Sequence, residues 1–487
     1  MRRAVTGLGL LAMGLVAGCG SSGAVAPPRA AAPQAARVEP KPVASAPDDD
    51  PLPSEPPPGT SGAWVGAATE SDWMLRTGGE SYLGVWVDAP RVKPRVRAPV
   101  DLAIVIDTSG SMRGEKIENA RSAARALVSA LVDGDIVSLD TFSERAQVLV
   151  APTVIDMRSR ARILSTIDEL TPAGATNMFH GLSLAEGHLA SAPADHPVRR
   201  VVMISDGIAN VGPSTPEDLG ALAERGLRFR AQVTSLGVGN DYDEHTLNAL
   251  AVRTSGRMFH LSDPREMASI LKREGDLLGA TVASDAYVEV VPATGVQIVA
   301  ADPNVHFEWA GNGAVRIPLG ALFAGQHREA LLRVRVGALA AGSAQSAIAS
   351  VRLHFHDPSD GDLDRVQEVV ARVQPTDDAS AVTAHANPKT AAIVAVLDAA
   401  KLEMQAAQHV NQGQFADADA RLAAAEDQLR KGAALARDEG EKKRLDKAAA
   451  SVAQQRAATH AAAAAPPAAQ RDQALRLNSG GMKDAGF

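Results

Sequence analysis

Cysteine is almost absent, Cys19 being the only one in the chain. No intramolecular disulfide can form, so packing alone must hold the folded parts together. Aromatic side chains are scarce as well, at 3%. The net formal charge is −8, with no basic excess. A nucleic-acid binder would need a basic stripe interleaved with stacking aromatics, so nucleic acid is not expected as a partner. Two catalytic signatures are also missing: no Gly-x-Ser-x-Gly elbow surrounds a plausible nucleophile, and no His-Glu-x-x-His pair occurs. Apolar content is ordinary at 45% of 487 residues. That suffices for more than one core, given roughly 100–200 residues per domain.

The single cysteine has an informative neighbourhood. Arg2 and Arg3 give a basic start, and Ala4 to Gly18 is an apolar stretch too short to span a bilayer comfortably. Leu15-Val16-Ala17-Gly18-Cys19 then places small residues just before the thiol. This resembles a bacterial lipoprotein signal, which implies that residues 1–19 are the signal peptide with its lipobox cysteine. Cys19 would be acylated (palmitate among the chains) and become the new N-terminus, holding the protein on a membrane through two or three chains. Gly20 stands where an enterobacterial inner-membrane retention signal would place Asp, which favours the outer membrane of a bacterial cell envelope. Residues 20–62 are dominated by Pro, Ala, Ser and Gly, and read as an extended tether that cannot bury a core.

Folded character begins near Trp64. Strands are expected over 82–87 and 91–97, within a segment 63–100. Residues 101–283 then alternate strands with helices. Leu102-Ala103-Ile104-Val105-Ile106 is a continuous apolar run, as a strand covered on both faces requires. Helical apolar spacing follows over 115–131 and 158–170, with strands over 136–142, 148–155, 198–205, 232–237 and 258–261. The fold class predicted is α/β, a doubly wound, mainly parallel sheet with helices on both faces. Ligands of such sheets bind at the carboxyl ends of the strands.

Short alternating strands over 284–375 predict a flanking antiparallel β-sandwich, completed by the strands of 63–100. In that arrangement the α/β domain is an insertion within the sandwich. Residues 385–457 predict a C-terminal helical hairpin that turns at Gly413 and resembles one tetratricopeptide-like unit. The Ala/Pro-rich stretch that follows predicts a disordered tail over 458–487.

The apolar strand ending at Ile106 runs into Asp107-Thr108-Ser109-Gly110-Ser111. Further on stand Gly174-Ala175-Thr176-Asn177 and Met203-Ile204-Ser205-Asp206-Gly207. In this order these segments resemble the von Willebrand factor A family, whose metal ion–dependent adhesion site begins Asp-x-Ser-x-Ser and is completed by a threonine loop and a second aspartate. The resemblance covers 101 to about 283, and is shared with bacterial lipoproteins related to the inter-alpha-trypsin inhibitor heavy chains. It implies a divalent cation held by Asp107, Ser109, Ser111, Thr176 and Asp206. The chemistry agrees: Mg²⁺ is a hard cation that takes oxygen donors in near-octahedral geometry, and three hydroxyls with two carboxylates supply them. Mg²⁺ is preferred, with Mn²⁺ and Ca²⁺ as alternatives. Gly110 and Gly207 let the backbone bend tightly at the site.

Other clusters read more plainly. His354 and His356 alternate along one strand and so line one half-exposed face. Asp357, Asp360, Asp362 and Asp364 lack EF-hand spacing and read as an acidic hairpin turn. Asp241, Asp243 and Glu244 look like helix-start residues. The function expected is metal-dependent protein–protein binding, in which a partner's carboxylate fills the open coordination position, and not an enzyme. The alternative is a structural scaffold of an envelope complex that uses the C-terminal helices and has a non-adhesive metal site.

Overall fold

The computed structural model describes residues 64–91, 96–206, 208–261, 272, 274–301, 305–340 and 344–486. The signal segment with Cys19, the tether over 20–62 and most of the strand expected over 91–97 lie outside these residues, as does Gly207.

The chain enters through β1 (Val65–Thr69), β2 (Trp73–Leu75) and β3 (Gly79–Asp88). The α/β domain follows: β4 (Val100–Asp107), α1 (Glu115–Ala130), β5 (Ile136–Phe142), β6 (Ala146–Val154), α2 (Met157–Asp168), α3 (Met178–Ala190), β7 (Val198–Ser205), α4 (Pro216–Gly226), β8 (Ala231–Val238), α5 (Glu244–Thr254) and β9 (Arg257–Leu261). Its six strands lie in the order β6-β5-β4-β7-β8-β9. All neighbours are parallel except the edge strand β6, which returns from β5 as a hairpin and runs antiparallel.

Every residue of β4 is buried. Because side chains alternate across a strand, Leu102, Ile104 and Ile106 pack with Ile117 and Leu127 of α1 and Ile163 of α2. Ala103 and Val105 face the other way, into a core with Leu182 of α3, Leu222 of α4 and Leu247 of α5. From β4 the chain first builds outward through β5 and β6, then crosses to β7 on β4's other side. The order reverses between β4 and β7, and ligands of such sheets bind where the order reverses.

The remaining strands are β10 (Thr281–Pro292), β11 (Val296–Ala301), β12 (Glu308–Trp309), β13 (Val315–Phe323), β14 (His327–Val336), β15 (Ser346–Asp357) and β16 (Leu363–Thr376). They form a sheet β1-β3-β14-β11 and a second sheet β12-β13-β10-β15-β16-β2. One core lies between them, with Leu83, Val85, Leu332 and Val334 on one side and Val288, Val290, Val351 and Leu353 on the other. β3 pairs with β14 from Gly79↔Val336 to Asp88↔His327. The α/β domain therefore interrupts the sandwich between β3 and β10. The β15–β16 turn carries the acidic run, with Gly361 in the left-handed region at φ 68°.

After α6 (Ala379–Ala384) come α7 (Pro388–Asn411), α8 (Phe415–Leu435), α9 (Glu439–Ala462) and α10 (Pro467–Asp484). Pro388 opens α7, where its missing N–H would have no helical partner. Asn387 caps that helix by accepting from the backbone N–H groups of Lys389 and Thr390. α7 lies against β3 at Gly84, where a Cβ would stand 3.0 Å from Thr390 Oγ1 and 3.1 Å from Ile393 Cδ1. Gly413 makes the α7–α8 turn at φ 73°.

The expectation of a hairpin over 385–457 and a disordered tail over 458–487 is corrected here. Four helices fill 388–484, and α10 is packed on two sides. Ala474 and Leu477 enter the core of the helical region. Leu475 and Met482 enter the core of the α/β domain. The alanine-rich composition that reads as low complexity is also the strongest helix former, and Pro467 lies at the start of α10, where proline is tolerated. Deleting 466–487 is expected to lower the melting temperature of the whole chain, because Leu475, Leu477 and Met482 each contribute about 1.5–3 kcal/mol of burial. An unchanged melting curve would show that α10 does not hold the two parts together.

Candidate metal centre

β4 and β7 lie side by side, with Ile106 opposite Ile204, so Asp107 and Asp206 emerge at neighbouring strand ends. Asp107 is fully buried. Its Oδ1 accepts from the Ser109 backbone N–H at 2.8 Å and its Oδ2 from the Ser205 hydroxyl at 2.7 Å. One oxygen thus holds the loop after β4 and the other the end of β7. Ser109 Oγ and Ser111 Oγ stand 3.0 Å apart. Ser111 Oγ donates to Asp206 Oδ1 at 2.9 Å.

The threonine loop is tied to both neighbours through its backbone. Gly110 N–H donates to the carbonyl of Gly174 at 2.9 Å, and Ala173 N–H to that of Thr108 at 2.7 Å. Gly174 sits at φ +85°, a conformation that brings its carbonyl toward Gly110 without a Cβ penalty. Thr176 N–H donates to Asn210 Oδ1 at 2.9 Å, and its carbonyl accepts from Asn210 and Val211 in the loop after β7. Thr176 is buried, and among the described residues its hydroxyl has no hydrogen-bond partner. Asn177 turns the chain into α3, its side chain capping the His180 N–H. All five residues expected at the site are therefore on three adjoining loops at one sheet edge, four of them joined directly by hydrogen bonds.

The donor set fits a hard divalent cation. Two adjacent ligands of an octahedral ion at about 2.1 Å stand about 3.0 Å apart, the separation of the two serine hydroxyls. All donors are oxygen, without the thiolate or imidazole that softer metals select. The unpartnered Thr176 hydroxyl completes a fitting set. Burial pushes Asp107 up to about 6; the Ser205 and Ser109 hydrogen bonds oppose this, and the Asp206 charge adds to it. A carboxylate held that high is one whose charge lacks a counter-ion.

Lys116 was not singled out in the sequence. In the first turn of α1, it donates from Nζ to Asp206 Oδ2 at 2.6 Å and to Asp241 Oδ2 at 3.4 Å. Burial opposes its charge, but Asp206 more than offsets this and holds its pKa above the ordinary value. Its position, just past the Asp-x-Ser-x-Ser segment in a helix that starts at Glu115, is the signal that could have flagged it. Ser205 stands in the segment before Asp206, and its bond to Asp107 has no signal in the sequence. Replacing Lys116 with methionine removes a cation that competes for Asp206. The variant is expected to bind Mg²⁺ several-fold more tightly in a calorimetric titration, while melting at a lower temperature in EDTA. Weaker Mg²⁺ binding would instead make Lys116 a support for the bound state.

The other polar clusters lie elsewhere. His354 stacks on Tyr287 at 4.6 Å between ring centres, and His356 Nδ1 lies 3.2 Å from the Asp362 carbonyl. Asp243 caps α5 and Glu244 pairs with Arg471 of α10. One further group of convergent ligand atoms among the described residues is Glu224, His306 and Glu308.

Fold and site together define an α/β domain whose strand-end loops gather serine hydroxyls and aspartate carboxylates. Residues 101–273 match the von Willebrand factor type A domain, and the chain carries a domain of that family. An uncharacterized protein of Synechocystis sp. is 26% identical over 274 residues, covering 54% of this chain and 63% of that one. The inter-alpha-trypsin inhibitor heavy chain H3 of Rattus norvegicus is 30% identical over 187 residues, covering 36% of this chain and 20% of the relative. The chain thus spans less than two thirds of these relatives' lengths. Among solved structures, a von Willebrand factor type A protein from Catenulispora acidiphila superposes with a TM-score of 0.65 at 20% identity, covering 80% of this chain and 91% of that one. The ArnB paralog VWA2 from Sulfolobus acidocaldarius gives 0.55 at 14% identity, covering 86% and 98%. Both show the fold. Domains of this family commonly mediate protein–protein interaction.

Proposed function

We propose that this chain is a lipid-anchored protein of the bacterial cell envelope whose A domain binds a partner protein through a divalent cation, Mg²⁺ by preference. The observation that carries the reading is the hydrogen-bonded chain from buried Asp107 through Ser109 and Ser111 to buried Asp206, with the Thr176 loop tied beside it through Gly110 and Gly174. Hydroxyls leave a bound cation more electrophilic than direct carboxylates would. When bound, the cation supplies an open position for an oxygen donor, best a carboxylate from the partner. The protein's own residues orient that contact: Asp107 fixes the Ser109 loop, and Lys116 holds Asp206 to one side. Ser111 and Ile208 are exposed at the rim, where a partner would settle.

Membrane attachment through Cys19, with the outer membrane favoured, rests on the sequence Leu15 to Cys19 and on the tether behind it. We read the site as non-catalytic, because the groups beside it are the acidic residues that hold the cation and its loops. The scaffold alternative draws less support. α10 spends its apolar face inside the molecule, and Arg471 binds Glu244 Oε2 at 2.6 Å.

Cross-linking on intact cells with and without EDTA tests the reading. A partner captured only when divalent cations are present, and lost in a Cys19→Ala strain that no longer sediments with membranes, is the expected result. Capture that persists unchanged in EDTA overturns metal dependence; an unaltered membrane fraction overturns the lipid anchor.

A further inference from the structure

The far end of the α/β sheet holds a second feature, independent of the metal centre. Asp101 opens β4 where Asp107 closes it, about 20 Å away at roughly 3.3 Å per residue. Beside Asp101 lies a pocket of about 280 Å³, walled by Ile136, Pro152, Val154, His188 and Ala192 among others. A single water needs only ~10–15 Å³ on the same measure. Asp101 is itself only 2% exposed. Among the described residues its carboxylate has no hydrogen-bond donor, which is rare for a buried charge.

Arg199, His196 and His188 lie nearby, and their N–H groups are engaged elsewhere. Arg199, opposite Asp101 in the β4–β7 register, directs its guanidinium to five carbonyls: His196, Leu189, Phe229, Ala192 and Pro193. His196 spends Nδ1 on Asp195 and Nε2 on the Gly134 carbonyl. His188 spends Nε2 on Asp140 Oδ1 at 3.1 Å, and Asp140 Oδ2, also buried, is left without a partner. Burial pushes Asp101 and Asp140 each up to about 6; His196, Arg199 and His188 oppose this at Asp101, and His188 opposes it at Asp140. What this place lacks is an N–H donor carrying positive charge.

We propose that the pocket binds an organic cation, a primary ammonium or guanidinium on a short aliphatic stem, with Asp101 as its counter-ion. A charge-assisted hydrogen bond to a buried carboxylate is among the stronger polar contacts. Ile136, Pro152 and Val154 offer the stem an apolar wall. A divalent metal fits poorly, because the lining supplies too few convergent oxygen or nitrogen ligands. The convergent carboxylate and imidazole ligands of Glu224, His306 and Glu308 are elsewhere. The cation can come from a free amine or from a lysine side chain of a partner; both present the same group.

The test titrates the full chain with n-butylammonium chloride, with 1-butanol as the neutral control and ionic strength matched by NaCl. Amide chemical shifts or melting temperature serve as readout. Saturable binding of butylammonium but not butanol is expected, weakened at least tenfold in Asp101→Asn, with the response to Mg²⁺ unchanged. Val154 is exposed enough to accept a larger side chain, so Val154→Trp should block the pocket with Asp101 in place. A blocked peptide, acetyl-Gly-Lys-Gly-amide, separates the sources: binding at least as tight as butylammonium assigns the pocket to a protein side chain, and its exclusion assigns it to a free amine. Equal responses to amine and alcohol, or unchanged amine affinity in both variants, overturn the proposal.

Discussion

Replacing Asp107 with asparagine is expected to reverse sign between metal-free and metal-loaded protein. In EDTA at pH 7 the variant should melt at a higher temperature than the parent chain. Burial raises the folded-state pKa of Asp107 from 3.8 to about 6. The folded protein then binds more protons than the unfolded chain between those values, so metal-free stability falls as pH rises from about 4 to 6. At neutral pH the ionised carboxylate costs on the order of 3 kcal/mol at most, taking about 1.4 kcal/mol per pH unit. Asparagine keeps the acceptor for the Ser109 N–H and carries no charge, so that cost disappears. With saturating Mg²⁺ the order should invert, because the cation compensates the carboxylate and cannot compensate an amide. Asp107→Ala, which also removes both acceptors that hold Ser109 and Ser205, should lower Mg²⁺ affinity by about 100-fold, the upper end of what outer-shell substitutions cost. Melting curves at pH 4.5 and pH 7, with and without Mg²⁺, decide the matter. A variant less stable than the parent in EDTA at pH 7 would mean that Asp107 acts as an ordinary hydrogen-bonded strap.

The second large effect is expected far from the metal centre, where the helices meet the sandwich. Glu329 on β14 has a side chain only 5% exposed. It is approached by His327 Nε2 at 2.6 Å, Arg444 Nη2 at 2.9 Å and Lys389 Nζ at 3.2 Å. Burial opposes its charge, but His327, Arg444 and Lys389 hold its pKa well below the ordinary value. Removing the carboxylate leaves three cations around an empty place in the interior. Glu329→Ala is therefore expected to destabilise the chain by about 3–5 kcal/mol, as other broken buried pairs do. A pH dependence accompanies it. Burial opposes a charged His327, yet Glu329 and Asp88 outweigh this and raise its pKa above 6.5. The stabilisation it adds is complete below its unfolded value and is lost as pH rises through the raised folded value. Denaturant unfolding across pH 6 to 9 should show a decline in the parent chain that is absent in Glu329→Gln. A flat profile in the parent would remove His327 from the network's energetics.

Much of the metal site is legible in the chain because its parts are local. Asp107, Ser109 and Ser111 lie within one loop, and the strand before them is recognisable from its unbroken apolar run. Thr176 and Asp206 follow in loops of their own. Lys116 stands outside the spaced signature, and Ser205 lies inside the Met203–Gly207 segment with nothing local to mark its role. Each matters only through what it touches, Asp206 in one case and Asp107 in the other, and contacts across about 90 residues leave no pattern in the sequence. Asp101 is a similar case: a polar residue at the start of an apolar strand gives no sign that every donor around it is engaged elsewhere.

The tail shows the opposite failure. Its composition reads as disorder because few large apolar residues occur, and a helix lacking them cannot bury much against water. Leu475 and Met482 nevertheless meet a surface that the α/β domain had already formed, and Ala474 and Leu477 meet the other helices. That surface is built by residues more than 200 positions earlier.

By itself, the sequence determined the alternation of strands and helices, the flanking β-structure and the loops that bring Asp107, Ser109, Ser111, Thr176 and Asp206 to one end of the sheet. Period-two and period-3.6 patterns and short loops are written locally. Only the tertiary structure decided that α10 is ordered between two cores, that Lys116 restrains Asp206, and that Asp101 lies uncompensated beside a pocket. Each of these depends on which distant groups are brought within hydrogen-bond range and which are already spent, and only the packed chain fixes that.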